Sequence, residues 1–211
     1  MKAIHILKRL LLEKRATALI EFAIILPVLF VFLFGILEIT RAILIHQKVD
    51  KVVHAMADFT TQSERSCVQR NELNAFNLAA ERIMSPFDFS SSTTIIFNSI
   101  GASVSQPPIC AGFPSQPCLL WSHTSIGGAP TRLSLDPAAN IVNVSTQSSF
   151  DLDPGRGAIV TEMIYNFEPL LDISNNLLGF LGSTDIYRAA IYTPRTTSLT
   201  TLMNACPPPG P

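Results

Sequence analysis

Residues Ala16 to Glu38 read ATALIEFAIILPVLFVFLFGILE. Only Thr17, Glu21, Pro27, Gly35 and Glu38 interrupt an otherwise apolar run of 23 residues. A helix rises ~1.5 Å per residue, so the stretch spans roughly 34 Å, against a hydrocarbon layer about 30 Å thick. The chain has no second stretch like it. Its length and lack of charge predict one membrane anchor near the N-terminus, with the rest of the chain on one side.

Charge placement sets the orientation. Lys2, Lys8, Arg9, Lys14 and Arg15 precede the apolar run against Glu13 alone. Basic flanks stay cytoplasmic, so residues 1–15 form a cytoplasmic leader and residues beyond about 40 lie outside. Arg41, Lys48 and Lys51 follow closely and oppose this bias. A secretory signal would carry a shorter apolar core ending in a small-x-small site; the run here is longer and continues into Glu38 and Arg41, which favours a retained anchor. From Thr60 onward there are 7 basic and 11 acidic residues. This mildly acidic body argues against a nucleic-acid partner, which selects a basic face.

The helix extends beyond the anchor. Ala42, Ile45, Val49, Val52, Met56 and Phe59 recur at steps of three and four, an apolar stripe on one helix side. No Pro or Gly breaks the chain from 36 to 85. The stripe is under three heptads long, so the stem, residues 41–62, is expected to pack within the chain rather than in a coiled coil. His46 and His54 on this helix read as polar surface in preference to metal ligands. A turn containing Cys67 is expected over 60–70. A second helix follows over about 71–84, with Leu73, Phe76, Ala80, Ile83 and Met84 on its buried side, stopped by Ser85-Pro86.

Beyond Pro86 the apolar period shortens to two. Strands are predicted over 93–104, 118–122, 141–144, 157–167 and 184–193, joined by Pro- and Gly-rich loops over 106–116 and 124–131. Ile159, Thr161, Met163, Tyr165 and Phe167 share one strand face, as do Tyr187, Ala189 and Ile191. Helices followed by strands make an α+β domain over 63–206 with an antiparallel sheet, one face of which packs on the helices. Residues 207–211, Pro-Pro-Pro-Gly-Pro, form an extended tail.

Four cysteines, Cys67, Cys110, Cys118 and Cys206, all follow the anchor. An even count on an oxidising side fits disulfides. Of three pairings, Cys110–Cys118 closes a short Pro-rich loop and Cys67–Cys206 ties the chain end to the stem. The absence of any Cys-x-x-Cys argues against zinc. Leu177, Leu178, Phe180 and Leu181 lie in an unusually apolar stretch between the last two long strands. They read first as a buried helix or lid, and second as a patch for a partner.

Nothing in the chain points to an enzyme. There is no Gly-x-Ser-x-Gly, phosphate loop, His-Glu-x-x-His or dinucleotide fingerprint. Asp151 and Asp153 read as loop carboxylates before a Pro-Gly turn. No cofactor or metal is expected.

The order Arg15-Ala16-Thr17-Ala18 with Glu21-Phe22, Pro27, and then Gly35-Ile36-Leu37-Glu38-Ile39-Thr40-Arg41 closely resembles the start of TadE-like proteins. These are membrane-anchored, pilin-related components of the bacterial tight-adherence (Flp) pilus assembly system. The resemblance covers about 30 residues in order and spacing; over 85–150 there is no alignment. It implies a pilin-like α+β fold, anchorage in the bacterial inner membrane with a periplasmic C-terminal domain, and work as a minor pilin or scaffold. It also implies partners among pilus-assembly and pilin-like proteins and membrane lipid. By analogy with pilins, Glu21 would be the fifth residue of a chain cut by prepilin peptidase between Ala16 and Thr17, and would attract the amine of a neighbouring subunit. Ala16 departs from the Gly that such peptidases usually take, and an uncut chain offers no amine at Thr17. Physically, Glu21 also suits a hydrated place at the membrane edge near the positive end of the helix. Pro27 is expected to kink the helix. Glu38 and Arg41, three apart, predict an exposed ion pair. The alternative function is a membrane-tethered periplasmic binding or sensing module.

Overall fold

The computed structural model describes residues 14–62, 67–101, 118–136, 141–145, 148–151, 157–169, 184–194 and 201–203. The leader up to residue 13, Cys110, Cys206, the tail, and the apolar segment with Leu177, Leu178, Phe180 and Leu181 lie outside the described residues. In chain order the elements are helix α1 (Lys14–Thr61), strand β1 (Cys67–Gln69), helix α2 (Arg70–Met84), and strands β2 (Thr93–Gly101) and β3 (Cys118–Ile126). Then come β4 (Ser134–Asp136), β5 (Ile141–Ser145), β6 (Ser148–Asp151), β7 (Gly157–Phe167), β8 (Thr184–Tyr192) and β9 (Thr201–Met203). The fold is α+β. Two units divide it, Met1–Leu44 and Ile45–Pro211.

The described residues of the first unit are the apolar part of α1. It is long and apolar enough to cross a membrane, and none of its most hydrophobic part is buried. Leu19, Phe22, Ile24, Phe32 and Ile36 are all exposed. An all-round apolar surface of this kind has no stable place in water. Pro27 lies inside the helix, which continues unbroken through it. Thr40 turns its hydroxyl back to donate to the Ile36 carbonyl at 2.8 Å, which satisfies it without water. Glu38, expected to be exposed, is only 4% exposed. The Arg41 guanidinium lies 4.0 Å from its carboxylate, which offsets the burial of the charge.

The second unit is built on a four-stranded antiparallel sheet in the order β3-β2-β7-β8. Register places Ile95, Phe97 and Ser99 of β2 beside Met163, Thr161 and Ile159 of β7, and Ile186, Arg188 and Ala190 of β8 beside Tyr165, Met163 and Thr161. The stem of α1 and helix α2 cover this face. Ile45, Val49, Val52, Val53, Met56 and Ala57 of the stem and Leu73, Ala80 and Met84 of α2 are buried. On the strand side, Arg188 and Tyr192 meet the stem, while His123 and Ser125 of β3 meet Asn74 and Asn77 of α2. Lys48 joins the two helices. Its ammonium donates to the carbonyls of Ile83 and Ser85, both at 2.7 Å, at the C-terminal end of α2 where a cation is favoured.

The opposite face is also covered, contrary to the expectation of a sheet buried on one side only. Ten of the eleven β7 residues are buried, the exception being Asn166. Ala158, Val160, Glu162 and Ile164 point away from the helices, yet all are buried. The strap from Gly127 to Leu133 supplies cover there, through Thr94, Asn98, Glu162 and Tyr187. Three further differences concern length. β3 runs on to Ile126 where a loop is expected from 124, and the short strands β4 and β6 flank the anticipated β5. The expected turn at Cys67 is instead a three-residue strand paired in parallel with β9. Phe59, assigned to the buried stripe, is 41% exposed and faces the Phe76 ring at 5.5 Å.

Phe97→Ala is therefore expected to lower stability by about 3–5 kcal/mol, because the ring is fully buried at the sheet centre. Phe59→Ala should cost only about 0.5–1.5 kcal/mol, the worth of an aromatic pair. Denaturant unfolding of the detergent-solubilised chain, followed by near-ultraviolet dichroism, separates the two.

Candidate functional site

Besides Glu38, two places in the described residues hold carboxylates in apolar surroundings, and they are built differently. The first is Glu21, on the exposed apolar part of α1. Ala16 and Thr17 are in the same helix, one turn before it. Among the described residues Glu21 makes no ion pair. Gly35, two helical turns beyond Pro27, has open space around its Cα: an added Cβ would meet nothing within 4 Å.

The second is Glu162, at the middle of β7 and fully buried. Oε1 accepts from the Arg132 backbone N–H at 2.9 Å and from the Tyr187 hydroxyl at 2.7 Å. Oε2 accepts from the Asn98 amide at 2.7 Å and from the Thr131 hydroxyl. Four donors thus come from β2, β8 and two adjacent strap residues. A buried carboxylate is costly unless its lone pairs are filled, and here each oxygen takes two hydrogen bonds. The strap is arranged around this anchor. Thr131 Oγ1 accepts the Leu133 N–H at 3.1 Å, and the Ala129 N–H reaches Thr94 Oγ1 at 3.3 Å. Gly127 starts the strap at φ +80, and an added Cβ would fall 2.1 Å from Thr94 Oγ1 and 2.5 Å from the Thr93 carbonyl. Only glycine takes that conformation this close to a strand.

The Arg132 guanidinium sits 5.0 Å from the Tyr187 ring centre and 3.4 Å from Asp185. Burial pushes the Tyr187 hydroxyl well above the ordinary phenol range, and its hydrogen bond and proximity to Glu162 act the same way, with Arg132 opposing. Tyr187 is accordingly a committed donor at neutral pH. Glu162, saturated by four donors, is arranged as a clamp rather than as an acid or base. Sequence reasoning did not single it out. The available signal was a lone acid on a strand face whose other members, Ala158, Val160 and Ile164, are apolar.

A third polar group lies between stem and sheet. His46 Nδ1 is 3.1 Å from the Arg188 guanidinium, which bridges Asp50 at 2.7 Å, and His54 Nδ1 is 3.4 Å from the Tyr192 hydroxyl. The two histidines expected on open helix surface therefore both reach β8. Among the described residues no group of three or more His, Cys, Asp or Glu is placed to hold a metal. Cys118 is disulfide-bonded.

Glu162→Ala should destabilise the detergent-solubilised chain by about 3–5 kcal/mol, since it strands buried donors. Tyr187→Phe removes one hydrogen bond to a charged group and should cost about 1.5–3 kcal/mol. Denaturant unfolding measures both, and equal, negligible losses would show that the clamp carries no stability.

No curated protein and no solved structure matches the chain. Residues 16–58, from the apolar run into the stem, match the family described as TadE-like protein, the family that the Glu21-Phe22 pair and the run from Gly35 to Arg41 resemble.

Proposed function

We propose that this chain works in tight-adherence (Flp) pilus assembly as a minor pilin or scaffold, by anchoring and association rather than by catalysis. The observation that carries this reading is the TadE-like match over 16–58, which spans the segment holding Glu21 within an exposed apolar helix. The helix anchors the chain in the bacterial inner membrane, with the basic leader in the cytoplasm and the α+β domain in the periplasm. Lipid covers most of its surface.

Glu21 gives lateral association its specificity. A carboxylate within the membrane costs up to about 2.5–3.5 kcal/mol and less near the edge, so a cation from a neighbouring subunit recovers free energy there. A cut between Ala16 and Thr17 by prepilin peptidase would create such a cation on each copy. Outside the membrane, the apolar stretch with Leu177, Leu178, Phe180 and Leu181 offers a second contact for pilin-like partners. The pairings Cys110–Cys118 and Cys67–Cys206 hold the domain in an oxidising compartment. Two observations bear on them: Cys118 is disulfide-bonded, and the β1–β9 ladder sets Thr201, five residues before Cys206, beside Cys67.

The test is co-purification from native membranes. The full chain should fractionate with the inner membrane and carry pilus-assembly proteins with it. Glu21→Gln should leave thermal unfolding unchanged and reduce the recovered partners about tenfold or more, a loss of roughly 1.4 kcal/mol in association. Mass spectrometry of the same material reads whether the chain starts at Met1 or Thr17. Recovery of the chain in the soluble lysate, or undiminished partners in the Glu21→Gln variant, would count against the proposal.

A further inference from the structure

We propose that His46 and Arg188 form a clasp that fastens the stem to β8 at neutral pH and is released by acid. The two elements run in register. His46 and His54 are eight residues apart on a helix, about 12 Å at 1.5 Å per residue. Arg188 and Tyr192 are four residues apart on a strand, about 13 Å at 3.3 Å per residue. That match lets both histidines reach β8 together, at 3.1 Å and 3.4 Å.

The chemistry of the first contact fixes the protonation state it needs. A guanidinium has donors only, so His46 Nδ1 must accept, which requires a neutral ring with its proton on Nε2. Protonation removes that lone pair and sets two cations against each other. The facing groups are few. On the stem, Asp50 is the compensating anion, but it is already engaged by Arg188 Nε at 2.7 Å. On β8, Arg188 also donates to the Tyr187 carbonyl at 2.9 Å, and Tyr192 faces His54. On β7, the residue opposite Arg188 is Met163, which offers no charge. Lys48 is turned to the end of α2.

Desolvation holds the His46 pKa below its ordinary 6.5, Arg188 acts in the same direction, and Asp50 opposes both. The sign follows. Above the ordinary value both docked and released states carry a neutral ring, and the clasp has its full strength. As pH falls from there through the depressed docked value, the released state takes up the proton first and the clasp weakens. Within that window the opening constant rises by up to about tenfold per pH unit.

Hydrogen exchange of the full chain in detergent micelles, corrected for intrinsic rates between pH 7.5 and 5, tests this. Protection over Ile45–Ala57 should fall by up to about tenfold per unit below pH 6.5, while Val160–Tyr165 in β7 stays protected. His46→Gln keeps a neutral acceptor, so it should hold protection at pH 7.5 within about threefold of wild type and abolish the acid slope. His54→Gln should leave the slope in place. A slope that survives His46→Gln, or no slope in wild type, overturns the clasp. Titration of the His46 ring by NMR in the wild-type chain is an independent check: a pKa at or above 6.5 overturns it, and a depressed one supports it.

Discussion

The second unit depends on how one buried charge is satisfied. Glu162 sits at the centre of the central pair of strands, where an apolar residue would cost nothing to bury. What the carboxylate adds is direction. The strap crossing the sheet brings backbone N–H groups that must be paired once water is excluded, and a strand face presents no free carbonyls to pair them. Glu162 Oε1 takes the Arg132 N–H, and Oε2 takes the adjacent Thr131 hydroxyl. Apolar contact alone would let the strap slide. Four donors converging on two oxygens select one register for the strap, and closing that face is what makes β7 buried on both sides. The clamp therefore trades some stability, relative to an apolar core, for a single arrangement.

Helix α1 answers to a different constraint, because its two parts obey different solvents. From Leu19 to Leu44 its large apolar side chains lie outward around the circumference, the pattern suited to lipid. From Ile45 the buried set narrows to Ile45, Val49, Val52, Val53, Met56 and Ala57, a stripe at three- and four-residue spacing suited to packing on a sheet. The intervening polar positions are not idle. His46, Lys48, Asp50 and His54 each reach a partner on α2 or β8. A stem with its apolar stripe docked and its flanks hydrogen-bonded is held by more than area.

These levels differ in how legible they are in the sequence. The apolar run, the stem stripe, α2 and the long strands β2, β7 and β8 follow from periodicity, because each spans enough residues for its period to show. Strands β1, β4, β6 and β9 have three or four residues each, too few for alternation to emerge, and β1 pairs with a strand more than 130 residues later. Their existence is decided by tertiary pairing. Phe59 fits the stripe by spacing but falls at its end, where the core no longer covers it. The Glu162 centre was partly legible: a single acid between Val160 and Ile164 on an apolar face is a local inconsistency of the kind that marks a site. Its partners were not, since Asn98, Thr131 and Tyr187 are separated from it by 64, 31 and 25 positions.

Among the described residues three carboxylates stand in apolar settings, and comparing them bears on where the proposed association would act. Glu162 is satisfied wholly within its own domain. Glu38 is buried with Arg41 4.0 Å away on the next turn of the same helix. Glu21 has neither arrangement: it lies exposed on an apolar helix and makes no ion pair among the described residues. Glu162 and Glu38 meet the electrostatic cost of an apolar setting inside the fold; in the proposed membrane setting Glu21 would meet it outside the described residues. Water at the membrane edge can hydrate the group, but hydration pulls the helix toward the interface and shortens its apolar span. A cation carried by another helix satisfies the charge without moving the anchor, and it does so at one depth only. In the proposed assembly, Glu21 would fix the vertical register between neighbouring membrane helices, much as Glu162 fixes the register of the strap within the domain.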